Sequence, residues 1–231
     1  MVEKRTADFN LGYFDIYPAP MFEAMAKLCP SEVINSTTPH YGPLLYTLGR
    51  AIGALKVLEI GVAQGWSSGF MSWAVKENGT RHGVEGRYFG LDVQEKDAAQ
   101  KAHDALGLPS TFIIHEKGSV DFLENQKLWE PETFDLIFVD GWHNVEYVKR
   151  ETELLYPLLK GNGAGYMAHH DIYAWCEELW PQIIKDPRYQ WEHIRFLHNY
   201  GFGLLRKMEG YDHTKKFWPD GDQKEAEGFK P

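Results

Sequence analysis

From residue 56 onward the chain alternates short apolar runs of β character with longer amphipathic stretches, the pattern of a parallel sheet wrapped by helices. KVLEIG (56–61) predicts a first buried strand, and Trp66 to Lys76 the helix after it. RYFGLDV (87–93) predicts a second strand, Glu95 to Gly107 a helix with a glycine stop, and STFIIHE (110–116) a third strand. A short helix near Val120 to Gln126 precedes TFDLIFVD (133–140), the strongest strand signal in the chain, and Val145 to Leu159 is the clearest helix. GAGYMAHHD (163–171) supplies a fifth strand. QWEHIRFL (190–197) and GFGLLRK (201–207) are separated only by His198, Asn199 and Tyr200, too short a link for a crossover, so the last strand must run antiparallel to its neighbour. Residues 10–53 read as helical with proline breaks and are expected to cap the carboxyl edge of the sheet. The expected division is therefore a helical cap (1–53), a main α/β domain (54–208) and a polar C-terminal tail (209–231).

Composition adds bounds to this pattern. At 231 residues, one large α/β domain is the default. Hydrophobic residues at 43% and aromatics at 14%, with eight Trp, allow a substantial core. A net charge of -9 argues against broad attraction to phosphate backbones or anionic lipid, so neither a nucleic-acid nor a membrane partner is expected. Cys29 and Cys176 lie far apart with no CxxC spacing, which points away from a disulfide framework or a thiolate zinc site. With no apolar run near the roughly 18 residues needed to span a bilayer, the chain reads as cytoplasmic.

Candidate chemistry gathers at the carboxyl ends of the strands, where open α/β sheets bind ligands. The first strand runs into Glu59, Gly61, Gly65, Trp66 and Ser67; the glycines permit a sharp turn, and helix N-terminal amides with the Ser67 or Ser68 hydroxyl could hold a carboxylate. Asp92, followed by Val93, ends the second strand about thirty residues on, where a carboxylate can accept from two ribose hydroxyls. Ser119 follows the third strand, at the place of an adenine-edge contact or a helix N-cap, and the two roles are compatible. These residues alone suit NAD as well as S-adenosylmethionine.

Asp140 and His143 leave one loop at the same rim, and Asp171 ends the fifth strand behind His169 and His170. Carboxylates there suit a hard cation such as Mg²⁺, which lowers the pKa of a substrate hydroxyl as a Lewis acid. An imidazole titrating near 6.5 suits removal of a hydroxyl proton, so His143 is the candidate base and Asp140 its catalytic partner. Trp66, Trp142 and Trp175 are candidate pocket walls or core aromatics, and His40, Tyr41 and Gly42 either cover the cofactor or form a loop with a packed Tyr. Lys149, Arg150, Glu151 and Glu153 read as the solvated face of a helix.

The segments VLEIGVAQGWSS, FGLDVQ, FDLIFVDGWH and GFGLLRK together resemble class I S-adenosylmethionine-dependent methyltransferases, over most of the chain. The stretch FDLIFVDGWHNVEYVKRETELLYPLLKGNGAGYMAHHDIY resembles the methyltransferase type 24 group, similar to macrocin-type sugar and catechol O-methyltransferases. The resemblance implies a Rossmann-like three-layer sandwich with a seven-stranded, mostly parallel sheet. It also implies S-adenosylmethionine rather than NAD, and methyl transfer to a hydroxyl of a small molecule such as a sugar or phenol. Asp140 and Asp171 fall in metal-ligand positions, with His170 where many relatives carry an acidic or amide residue. That exchange favours Zn²⁺, Fe²⁺ or Mn²⁺ over Mg²⁺, or no ion at all. His143 falls at the general-base position. N-methylation is a near variant; a non-catalytic S-adenosylmethionine-binding or assembly protein and an NAD-dependent oxidoreductase are the rival readings, and a homo-oligomer is left open.

Overall fold

A computed structural model describes residues 41–173, 178–196 and 200–212. Its elements are α1 (Tyr41–Ala51), β1 (Lys56–Ile60), α2 (Trp66–His82), β2 (Arg87–Asp92), α3 (Asp97–Leu106), β3 (Ser110–Ile114), α4 (Ser119–Asn125), β4 (Leu136–Val139), α5 (Val145–Leu155), β5 (Tyr166–His170), α6 (Leu179–Lys185), β6 (Trp191–Phe196) and β7 (Phe202–Lys207). The seven strands form one sheet in the order β3-β2-β1-β4-β5-β7-β6. The first five are mutually parallel, and β7 pairs antiparallel with both β5 and β6. The expected Rossmann-like fold with its closing hairpin is thus the observed one; the expected cap over residues 1–40 and most of the tail lie outside the described residues, as do Trp175, His40, Cys29 and Cys176.

The three layers follow from the two-residue period of a strand, which sends alternate side chains to opposite faces. Leu58, Ile60, Ile137 and Val139 join Val148, Leu155, Leu179 and Ile183 on the face covered by α5 and α6. Val57, Leu136 and Phe138 join Tyr41, Leu45, Met71 and Val75 on the face covered by α1 and α2. Every residue of β4 is buried, which explains why it reads as an unbroken apolar run.

Element ends differ from expectation for local reasons. Helix α2 continues past Lys76 to His82 and stops at Gly83, which takes the left-handed conformation (φ 66°) of a C-terminal cap. Helix α5 stops at Leu155 and gives way to a 3₁₀ turn (Tyr156–Leu158), because Pro157 cannot donate to a continuing helix. Helix α6 has no counterpart in the sequence expectation. It buries Leu179, Trp180 and Ile183, and the Trp180 ring lies so close to Gly203 of β7 that any side chain at 203 would overlap it.

Candidate active site

Strand β1 sits between β2 and β4, so the connections leaving its two sides diverge and open a crevice at the carboxyl ends. Gly61 fixes the depth of that crevice. Its φ of 85° is unfavourable for other residues, and a Cβ there would overlap the Asp140 carbonyl, so the glycine lets the β1 loop close onto the end of β4. Asp92 holds the same loop from the other side: its carboxylate accepts from the amides of Val62 (2.9 Å), Ala63 (3.2 Å), Val93 (2.7 Å) and Gln94 (3.1 Å), and Lys96 Nζ pairs with it at 3.1 Å. The loop is thereby ordered by the residue expected to meet a ribose.

The result is a cavity of about 590 Å³, the size of a nucleotide-class ligand site. Gly61, Asp92, Val93, Ser119 and Asp140 line it together, joined by Trp142. Four other expected cofactor residues do not. Glu59 is fully buried beneath the loop and accepts from Ser67 Oγ and Tyr88 OH, while burial pushes its carboxyl up to about 8. Ser67 is consumed by that contact. Ser68 donates to the Gly65 carbonyl at 2.8 Å, so neither hydroxyl is offered to a ligand. Gly65 lets α3 approach, since a Cβ there would stand 2.7 Å from Ala99 Cβ. Trp66 is 7% exposed and packs edge-on against Phe70 at 5.2 Å, beneath Gly42 of α1, which makes it core rather than pocket wall. These residues shape the cradle from behind.

Ser119 is the first residue of α4, with Gly118 in the cap position, so the N-cap role falls away. Its hydroxyl donates to Glu151 Oε1 and lies 3.3 Å from Tyr147 OH. Glu151 corrects the expectation of a solvated helix face: it is wholly buried, burial raises its carboxyl to about 7 against opposing contributions from Ser119 and His143, and Oε2 meets no hydrogen-bond partner among the described residues. Its place one turn beyond Tyr147 on the inner face of α5 gave only a weak signal, because flanking charges masked the helical period.

At the rim, four side chains converge. His143 Nε2 is 2.7 Å from Asp171 Oδ2 and 3.7 Å from Asp140 Oδ1; His170 Nδ1 is 3.0 Å from Asp140 Oδ1 and 3.2 Å from Asp171 Oδ2. Ligand atoms of Asp140, His143 and Asp171 all lie within 4.8 Å of one another. Asn144 caps α5 by accepting from the Tyr147 amide at 3.1 Å, which anchors the loop carrying His143. Asp171 has a left-handed backbone (φ 56°), a conformation costing an L-residue on the order of 1 kcal/mol, and its carboxylate meets His143 in the loop after β4 and His170 at the end of β5.

The charges fit together. Hydrogen bonds to Asp140 and Asp171 raise His143 to about 10. Burial lowers His170, but the same two carboxylates outweigh it and carry it to about 9. Burial would raise Asp171, yet His143 and His170 hold it near 2. His169 points elsewhere: it is buried in the core face, and burial lowers it to about 4. Tyr41, at the start of α1, meets His170 edge-on at 5.1 Å and covers the cluster from the N-terminal side.

A family model described as a methyltransferase domain matches residues 58–172. A catechol O-methyltransferase of Niastella koreensis is 32% identical over 108 residues, covering 46% of this chain and 46% of that protein, so the chain spans about half the length of the curated relative it matches. A Podospora anserina methyltransferase structure bound to SAH superposes with a TM-score of 0.66 at 16% identity, covering 90% of this chain and 97% of that one. The O-methyltransferase TomG of Streptomyces achromogenes, solved with SAM, gives 0.62 at 16% identity over 85% and 95%. At such identities the structures establish a shared fold. The matched segment runs from β1 to the turn after Asp171, carrying both the glycine loop and the rim cluster, and residues 58–172 are a methyltransferase domain of that family, on the class I fold.

Proposed function

We propose that the protein binds S-adenosylmethionine in the cavity and transfers its methyl group to a hydroxyl of a small molecule at the rim. One observation carries this reading: Asp140 belongs both to the cavity wall and to the rim cluster, so a donor in the first and an acceptor at the second meet at that residue. The curated relative is a catechol O-methyltransferase, which favours a phenolic acceptor among hydroxylated compounds.

In the transfer, the acceptor oxygen attacks the methyl carbon, the carbon–sulfur bond breaks, and its electron pair stays on sulfur as a neutral thioether. Gly61 and Asp92 hold the loop that orients the donor, and alignment of this kind contributes on the order of 7 to 11 kcal/mol. His143 is the side chain at the rim that can take the acceptor proton. With both carboxylates uncompensated, however, the imidazole is held as a cation and has no lone pair to offer. Two carboxylates and the His170 imidazole, with His143 beside them, fit a first-row divalent cation better than Mg²⁺ by the chemistry of the donors. Held by Asp140, His170 and Asp171, such an ion would supply positive charge beside the carboxylates and act as a Lewis acid toward an acceptor hydroxyl. Neutralisation of the two carboxylates would leave His143 nearer its ordinary value, where an imidazole can accept the proton.

Transfer of labelled methyl from S-adenosylmethionine to a panel of catechols, other phenols and sugars tests the reading. Product is expected with at least one phenolic acceptor, lost with a chelator and restored by Mn²⁺, Fe²⁺ or Zn²⁺. Absence of product across the panel under all metal conditions would count against it.

A further inference from the structure

Beyond the rim, one buried ionisable group borders the cavity with no part in the transfer. Glu151 is inaccessible to solvent, its Oε1 accepts from Ser119 Oγ, and its Oε2 has no hydrogen-bond partner among the described residues. Ser119 and Gly141 both line the cavity. A Cβ on Gly141 would stand 3.5 Å from Glu151 Oε1, so at that point only a glycine backbone separates the carboxyl from the cavity. Nearby, Val93 and Trp142 also line the cavity, exposing 45% and 66% of their surfaces, and offer apolar faces suited to a planar ring.

A serine hydroxyl has one proton and two acceptor sites. Glu151 takes the proton. Tyr147 OH, 3.3 Å away, accepts from the Val120 amide at 3.3 Å, and with the serine proton engaged by Glu151 only the phenol's own proton can bridge the two hydroxyls. What Ser119 has left for the cavity is an acceptor. We infer that Glu151 sets the hydrogen-bonding polarity of Ser119, so that the cavity selects a purine bearing an exocyclic amine over one bearing an oxo group. The inference rests on the nucleoside reading of the cavity given above, and adds to it a positioning residue for base specificity. An amine N–H completes the chain from base to Ser119 to Glu151. An oxo group sets lone pair against lone pair in a partly desolvated site, and the unmade hydrogen bond weakens binding roughly 10- to 100-fold.

Calorimetric titration with S-adenosylhomocysteine and with S-inosylhomocysteine, its 6-oxo counterpart, tests this on the full chain. The wild-type protein is expected to prefer the amino nucleoside by roughly 10- to 100-fold. Glu151→Gln keeps the size of the side chain, but its amide can turn an N–H toward Ser119 and free the hydroxyl proton for the cavity; the preference should shrink to within about threefold. An unchanged ratio in Glu151→Gln, or an indifferent wild type, would overturn the inference while leaving nucleoside binding intact. A wild type that binds neither compound would remove the nucleoside reading, and this inference with it. Should Glu151→Gln fail to melt cooperatively, Ser119→Ala serves instead: it should bind both compounds alike, and a retained preference in that variant would overturn the assignment.

Discussion

At the scale of single residues, the rim cluster and Gly61 do different work, and substitutions should separate them. His143→Ala removes the proton acceptor, and His143 does not itself line the cavity, meeting its wall only through Asp140 at 3.7 Å. Its turnover should fall by roughly 10²- to 10⁴-fold while S-adenosylhomocysteine affinity stays within about twofold, measured by methyl transfer and calorimetry. Gly61→Ala does the reverse kind of damage, because a Cβ meets the Asp140 carbonyl and the φ of 85° is strained for any side chain. Cofactor affinity and melting temperature should both drop, and a variant that melts and binds as the wild type does would contradict the role given to this glycine. The positions of Gly61, Asp92, Asp140 and Asp171 at the carboxyl edge of the sheet were legible from the sequence because each ends a strand or opens the loop after one, and His143 follows Asp140 in the same loop. Glu59 near the end of β1, Gly65 in the loop and Ser67 at the start of α2 face inward, and strand-end position alone does not tell which side of a turn faces ligand. Glu151 was misread for a related reason: charged neighbours on α5 hid the one acidic residue on its buried face.

At the scale of elements, the loop between β4 and α5 is held at both ends, by Gly61 against Asp140 and by the Asn144 cap on α5. Asn144→Ala should cost about 1 kcal/mol of stability from the lost cap. Because His143 is the preceding residue, the same change should also lower kcat more than it weakens S-adenosylhomocysteine binding; thermal melts and steady-state kinetics read the two effects separately. The strands were legible because an apolar run or a period of two marks them directly. Helix α6 was not: it is seven residues long with Pro181 inside its first turn, and its burial depends on Trp180 finding a glycine on β7, a match between segments far apart in sequence.

At the scale of the whole molecule, ionisable groups that the fold shifts make stability depend on pH with a predictable sign. Glu59 and Glu151 are raised by burial to about 8 and about 7, and the carboxylates help raise His143 and His170 to about 10 and about 9. A group raised on folding stabilises below its unfolded pKa and loses that contribution as pH climbs through its folded value, so all four act in one direction between pH 6.5 and 9. Below pH 6.5, His103 and His169, lowered by burial to about 4, lose stability as acid charges them and offset the gain from the glutamates. Calorimetric melting with chelator present should therefore give a lower midpoint at pH 9 than at pH 6.5. Glu59→Gln should remove on the order of 2 kcal/mol of that difference, from about 1.5 pH units of titration at 1.4 kcal/mol each.

The central claim is that one cavity, closed by Gly61 and Asp92 and ending at Asp140, presents a methyl donor to the rim cluster. A crystal structure of the protein with S-adenosylhomocysteine tests it most directly. The account predicts the base between Val93 and Trp142, the amino-acid moiety along the Gly61 loop, and the sulfur directed toward Asp140. A ligand seated away from the Gly61 loop, or one whose sulfur points away from Asp140, His143 and Asp171, would contradict it.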